Sequence, residues 1–397
     1  MTQPASRLKV LLSGIFSLML TLGIARFAYT PLLPVMIREA GLGLGWGGGL
    51  ATVNYAGYLC GALIAASISD PGLKDRLYRA GLLTAIVTTG AMGLTDNLIL
   101  WSLLRFFSGL ASAAGLLLGS GLVLNWLIRH GFKSELGIHF AGIGLGMVLC
   151  ALAVELMAAH LSWDQQWLVF TLLGAVLAVP AWAWLPPPSS FTGAARANDL
   201  PDNPPERLFM ILFMASYFFA GVGYVVSATF IVAIIDDLPG LAGQGTWTFM
   251  IIGLAAAPAC IVWDLAARRL GHLGALRLAY ALHIPAVLLP VLVPGLASAM
   301  VSAVLFGMTF LGIVSLVLTM AGLYYPSRPA RMMGRMTISY GVAQILAPAI
   351  VGRLAGASGH YNAGLFLAAG AVAVGFVILL TMQRGAAGPV PHDLRGG

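Results

Sequence analysis

Twelve stretches of this chain are apolar over about the 20 residues that a helix needs to cross a bilayer core, and little else lies between them. With soft edges they run 10–37, 46–68, 77–95, 99–128, 136–158, 163–185, 207–235, 243–263, 272–293, 296–324, 334–355 and 361–382. Charged residues make up only 9% of the 397 positions and apolar ones 59%, whereas a soluble domain carries roughly 25% charged residues. The chain cannot cover a water-facing surface. That excludes a disordered protein, a nucleic-acid-binding domain and an ordinary cytosolic enzyme. The first stretch is too long for a signal peptide, continues through Pro31 and Pro34 and meets no small-residue cleavage site, so it reads as a retained helix.

The net charge of +7 is explained by where Lys and Arg fall. Seventeen of the 21 basic residues lie on one side of the spans, among them Arg7, Lys9, Arg129, Lys133, Arg196, Arg277, Arg328, Arg335, Arg384 and Arg395. Arg38 and Arg353 lie on the other side, and Arg26 and Arg105 within spans. By the positive-inside rule both termini are expected in the cytoplasm. The Pro- and Ser-rich stretch 186–206 reads as a linker. The expected organisation is a six-helix bundle over 1–185, a cytoplasmic linker over 186–206, and a second six-helix bundle with a short tail over 207–397. Cys60, Cys150 and Cys260 form neither a disulfide framework nor a metal-ligand spacing.

The halves echo each other. Gly23-Ile-Ala-Arg26 aligns with Gly221-Val-Gly-Tyr224 at an offset of 198, and Asp70 to Arg76 aligns with Asp264 to Gly271 at an offset of 194. Arg105-Phe-Phe-Ser-Gly109-Leu-Ala-Ser-Ala-Ala-Gly115 sets a small-residue face after an arginine in the fourth span. With Gly23 to Pro34 and Asn54-Tyr55-Ala-Gly-Tyr58-Leu-Cys-Gly61, these segments resemble the major facilitator superfamily, in its YbfB/YjiJ-type branch. The resemblance implies an all-α membrane protein of twelve transmembrane helices in two pseudo-symmetric six-helix bundles. It also implies secondary active transport by alternating access.

An ionisable residue inside a span is costly and marks a functional hypothesis. Arg26 lies roughly 24 Å along the first span at 1.5 Å per residue, Arg105 near the outer end of the fourth, and Glu155 late in the fifth. Three charges at similar depth are expected to share one water-filled cavity. There the arginines would attract an anion, and Glu155 would bind a proton or pair with an arginine in the empty state. The competing reading is a structural ion network. Tyr29 and Thr30 lie one turn from Arg26. Asn54 and Tyr58 are one turn apart, and Ser102, Arg105, Ser108 and Ser112 share a helical face. The second half offers Tyr217, Tyr224, His283, Tyr340 and Gln344 as aromatic and amide contacts. Asp70, Lys74, Arg76, Asp264, Arg268 and Arg269 are candidates for a cytoplasmic gate, against simple charge anchoring. No phosphate loop and no metal-ligand cluster is present, so no cofactor is expected and an enzyme is not.

The expected function is movement of a small organic anion or amphiphile across a bacterial inner membrane, coupled to protons, by a monomer. The alternatives are proton-driven multidrug efflux and a copper importer: Met210 and Met214, one turn apart, resemble copper-importing members of the superfamily, although their His-xxx-Met partner is replaced here by Thr246 and Met250. A non-transporting membrane sensor is a further alternative.

Overall fold

The computed structural model describes residues 6–132, 136–188, 204–325 and 329–382. Lys133, Arg196, Arg328, Arg384, Arg395 and most of the expected linker lie outside them. The described residues form twelve helical rods. The first six are α1 Arg7–Glu39, α2 Leu44–Ser67, α3 Pro71–Met92, α4 Leu98–Arg129, α5 Leu136–Met157 and α6 Trp163–Ala183. The rest are α7 Arg207–Asp237, α8 Gly245–Leu270, α9 His272–Leu292, α10 Leu296–Tyr324, α11 Pro329–Ser358 and α12 Asn362–Thr381. All but α3, eleven in number, are long and apolar enough to span a membrane. The exception has the length, but it starts six residues before the expected stretch and takes Lys74, Asp75, Arg76 and Arg79 into its first turns.

Polar residues at the rod ends set the boundaries. Asp70 accepts from the amides of Gly72 and Leu73 at the start of α3, and Asn97 from Ile99 and Leu100 at the start of α4. Ser162 and Gln165 form a reciprocal cap on α6. These acceptors satisfy amides that lack a partner inside the helix. Large apolar side chains such as Leu83, Val87, Ile99, Leu172, Val179 and Val377 are more than half exposed around the outside. A belt of that extent is suited to lipid and not to water.

The repeat is visible in how each half is tied. Arg79 of α3 donates to the carbonyls of Trp182 and Leu185 at the end of α6, at 2.9 and 3.1 Å. Arg277 of α9, 198 positions on, donates to Leu379 and Met382 at the end of α12, at 3.0 and 2.6 Å. A side-chain carbon on Gly109 of α4 would overlap the Asn54 carbonyl of α2, and one on Gly307 of α10 would overlap the Ile252 carbonyl of α8. Those positions are again 198 apart. The second expected echo, at 194, does not hold: Asp70 caps its helix, whereas Asp264 pairs with Arg268 one turn on at 2.8 Å.

A guanidinium that satisfies helix-end carbonyls contributes about 2 kcal/mol. Arg277→Ala is therefore expected to lower the detergent melting temperature, with Arg79→Ala doing the same. Unchanged melting of both variants would refute the clamp.

The hydrogen bonds between the two bundles lie on the face opposite the termini. There Thr30 of α1 donates to the Ala228 carbonyl of α7 at 2.6 Å, Thr52 of α2 to Ile345 of α11 at 3.2 Å, and Tyr361 to Leu44 at 2.8 Å. Gly48 of α2 lies against Pro348 and Gly352 of α11 on that face, while Gly144 meets Gly253 and Ala257 half-way along α5 and α8, and Gly137 meets Ile261 towards the terminal end. At the terminal face, α1, α3, α4 and α6 keep a hydrophobic core of their own, built around Val10, Tyr78, Leu82, Leu127 and Leu185.

Candidate functional site

Two buried arginines organise the middle of the first bundle. The α1 rod is π-helical over Met19–Phe27, and such segments recur at functional positions. The carbonyl of Ala25 in this segment receives both Arg105 Nη1, at 3.1 Å, and the Ser108 hydroxyl. Ser112 donates to Thr21 in the same way. The serine face of α4 thus grips the π segment of α1. Asn54 of α2 completes the knot, its amide donating to the Arg105 carbonyl and the Ser108 oxygen, both at 3.0 Å.

Arg26 is 5% exposed. Its guanidinium carbon lies 4.3 Å from the Tyr55 ring centre and 4.7 Å from that of Tyr58, both on α2. Cation–π contact at these distances is favourable in a dry site. Tyr224 of α7 and Tyr340 of α11 lie within electrostatic reach of the same charge. Arg26 and Tyr224, 198 positions apart, occupy equivalent places in the two repeats and meet at the seam. Arg26 Nε and Nη2 are buried without a hydrogen-bond acceptor. Arg105, 2% exposed, stacks 4.5 Å above the Tyr29 ring, and its Nε also lacks an acceptor. Among the described residues the one buried acid is Asp75. It pairs with Arg79 at the terminal face, so neither central arginine has a carboxylate partner.

In the second bundle the candidate residues form one column. Tyr217 and Tyr340 stack at 4.5 Å and 22°, Tyr340 and Tyr224 at 5.7 Å and 24°, and Tyr224 and Phe310 at 5.3 Å and 25°. Phe306 follows Phe310 at 5.4 Å, and His283 follows Phe306 at 5.2 Å. His283 is fully buried, with Nδ1 2.7 Å from the Thr309 hydroxyl and Nε2 without a partner. Gln344, one turn beyond Tyr340 on the same α11 face, has a buried Oε1 without a donor.

Several expectations are corrected. Glu155 does not share a cavity with the arginines. It is exposed at the far face, where its carboxylate accepts from Trp247 of α8 at 3.2 Å. Depth along a helix fixes no direction around it, and this face of α5 turns towards α8. The arginines do not line a wet vestibule; aromatic rings enclose them. Tyr29 belongs with Arg105 and with the Gly47 carbonyl rather than with Arg26, and Thr30 crosses to α7. Ser102 bonds only within its own helix, to Leu98. The gate candidates, whose latch belongs to the state with the terminal face shut, make local bonds in this one: Asp70 caps α3, and Asp264 and Arg268 pair within α8 with exposed side chains. Lys74, Arg76 and Arg269 lie at the same terminal face, at the ends of α3 and α8. Met210 and Met214 lie among Phe209, Phe213 and other apolar groups of the core.

Four residues escaped the sequence reading. Tyr55 lies between the candidates Asn54 and Tyr58 without a signal of its own, and Phe306 and Phe310 look like ordinary membrane filler. His139 of α5, with Nε2 2.7 Å from Ser120 of α4 and Nδ1 unpartnered, gave no motif.

Comparison with known proteins places this geometry. A search of solved structures finds the nucleoside transporter NupG, with a TM-score of 0.70 over 95% of this chain and 99% of that one. A point mutant of the same transporter matches with a TM-score of 0.73 over 94% and 99%. Both are 14% identical, so they share the fold alone. A relative named "Uncharacterized transporter mfc1", from Schizosaccharomyces pombe, is 27% identical over 127 residues. That match covers 32% of this chain and spans about a quarter (26%) of that protein's length. The family described as "Uncharacterised MFS-type transporter YbfB" matches residues 18–380. With its twelve rods and a repeat that opposes Arg26 to Tyr224, the chain belongs to this YbfB-type family of major facilitator superfamily transporters.

Proposed function

We propose that this transporter carries a small organic anion across a bacterial inner membrane by alternating access, coupled to protons. Its termini are cytoplasmic, and it works as a monomer whose moving units are 1–185 and 207–397. The observation that carries the reading is Arg26, a buried guanidinium with two unpartnered donors and no acidic neighbour. A charge held in low dielectric without a partner is costly. An anionic substrate supplies the missing partner. The basic residues at the terminal face support the orientation. The inter-bundle bonds lie at the opposite face, so the conformation is closed to the outside.

The test is uptake of labelled organic anions into proteoliposomes, with and without a pH gradient. Arg26→Gln is expected to slow anion uptake about 30-fold, the equivalent of about 2 kcal/mol for a lost charged hydrogen-bond pair. Uptake indifferent to Arg26 overturns the anion reading, and uptake indifferent to the gradient overturns proton coupling. The aromatic column running from Tyr217 to Phe306 also suits apolar drugs, which keeps multidrug efflux as the second reading. Transport of lipophilic cations unaffected by Arg26→Gln would favour it. Nucleoside uptake in the same assay would extend to this chain the activity in NupG's name.

A further inference from the structure

Arginine offers a carboxylate two parallel N–H bonds along its Nε–Nη2 edge. This molecule uses that edge elsewhere. Arg268 directs Nε and Nη2 at one Asp264 carboxylate oxygen, at 3.1 and 2.8 Å. Arg277 directs the same two nitrogens at backbone carbonyls. In Arg26 these are the two atoms that are buried and lack an acceptor. The rest of the guanidinium is covered by the Tyr55 and Tyr58 rings. Arg105 differs in that only Nε is buried and unpartnered, while Nη1 is held by the Ala25 carbonyl. One planar fork is therefore available, which suits a single carboxylate better than a tetrahedral anion with three oxygens to satisfy.

The surroundings describe the body attached to that carboxylate. Tyr217, Tyr340, Tyr224 and Phe310 are stacked within 25° of parallel, and two of these rings, Tyr340 and Tyr224, lie within reach of Arg26. Rings whose faces are taken by one another present their edges, and these favour the face of another flat ring over a puckered or branched aliphatic group. Gln344 Oε1, buried without a donor on the Tyr340 face of α11, suits a hydroxyl or amino substituent on that ring.

We propose that the substrate is a planar aromatic monocarboxylate, bound side-on by Arg26 with its ring packed against the edges of Tyr224 and Tyr340, and that a ring hydroxyl or amino group is read by Gln344. This rests on the organic-anion reading above and narrows it.

The experiment is binding to the purified full chain in nanodiscs, by calorimetry and by thermal shift. The probes are benzoate, 4-hydroxybenzoate, 4-aminobenzoate, cyclohexanecarboxylate, propionate, phenyl phosphate and benzyl alcohol. The benzoates are expected to bind, 4-hydroxybenzoate and 4-aminobenzoate most tightly. Cyclohexanecarboxylate is expected to be about tenfold weaker, and benzyl alcohol not to bind. Arg26→Lys keeps the charge but loses the fork, and should weaken benzoate at least about tenfold. Tyr340→Leu, which leaves Arg26 in place, should erase the preference for benzoate over cyclohexanecarboxylate. Gln344→Leu should remove the advantage of the hydroxyl and amino probes.

If cyclohexanecarboxylate or propionate binds as well as the benzoates, or phenyl phosphate binds better, this inference fails while the organic-anion reading stands. If no anion binds, both fail. If Arg26→Lys does not fold, the Tyr340→Leu and Gln344→Leu profiles decide, and unchanged preferences in both overturn the assignment.

Discussion

Gly48→Leu is expected to stop transport, by more than about 100-fold, while the protein still folds and reaches the membrane. A side-chain carbon at Gly48 would overlap the Pro348 carbonyl oxygen and come 2.8 Å from the Gly352 Cα. Both obstacles are backbone of the other bundle, so no rotamer change relieves them. Overpacking of this kind costs about 3 kcal/mol. It falls on one conformation only, because the contact exists where the far face is shut. A differential of about 3 kcal/mol shifts a two-state equilibrium by more than 100-fold, which holds the far side open and stalls a cycle that must visit both states. The check has two parts. Uptake should fall as stated. A cysteine at Ala51, 1% exposed on the same helix, should become reactive to an impermeant thiol reagent in the Gly48→Leu background, with the native cysteines removed. Gly43, with nothing within 4 Å of an added side-chain carbon, is the control, and Gly43→Leu should transport normally. Full uptake by Gly48→Leu, with Ala51→Cys still unlabelled, would sink the argument.

Hydropathy alone revealed the rods, because lipid demands long apolar helices with satisfied backbones and leaves few other ways to use such residues. It misplaced the start of α3, where four charged residues lie inside the helix. Azimuth was much harder to read. Arg26, Tyr58, Tyr224 and Tyr340 do come together, since Arg26 and Tyr224 occupy matched places in the two repeats and the repeat faces inward. Glu155 shares their depth and points elsewhere. The π segment Met19–Phe27 adds a further shift, because its wider turn moves Tyr29 away from Arg26 and towards Arg105. Nothing in Met19-Leu-Thr-Leu-Gly-Ile-Ala-Arg-Phe27 announces that turn. Phe306 and Phe310 were invisible for a different reason. In a chain this apolar, two phenylalanines one turn apart carry no signal until their neighbours are known.

Glycines present the same ambiguity, and it leads to the second large effect. Gly109→Val is expected to destabilise the first bundle by about 3 kcal/mol or more and to leave little folded protein in the membrane. An added side-chain carbon at Gly109 would overlap the Asn54 carbonyl and come 2.7 Å from the Tyr58 amide nitrogen. Gly57 makes the reciprocal approach, against the Phe106 carbonyl. Close backbone contact of this type, built from small residues, is how helices associate without a hydrophobic driving force. Separating α2 from α4 would also pull Asn54 away from Arg105 and Ser108, and the Ala25 carbonyl would lose the groups that order the π segment. Gly121, on the same helix, has open space around the same atom, and Gly121→Val is expected to fold and transport as the parent does. The measurement is the yield of monodisperse protein and its melting temperature for the two valine variants side by side. Equal yields would mean that α2 and α4 can part without loss, and the knot that holds Arg105 would then not be the support on which the position of Arg26 depends.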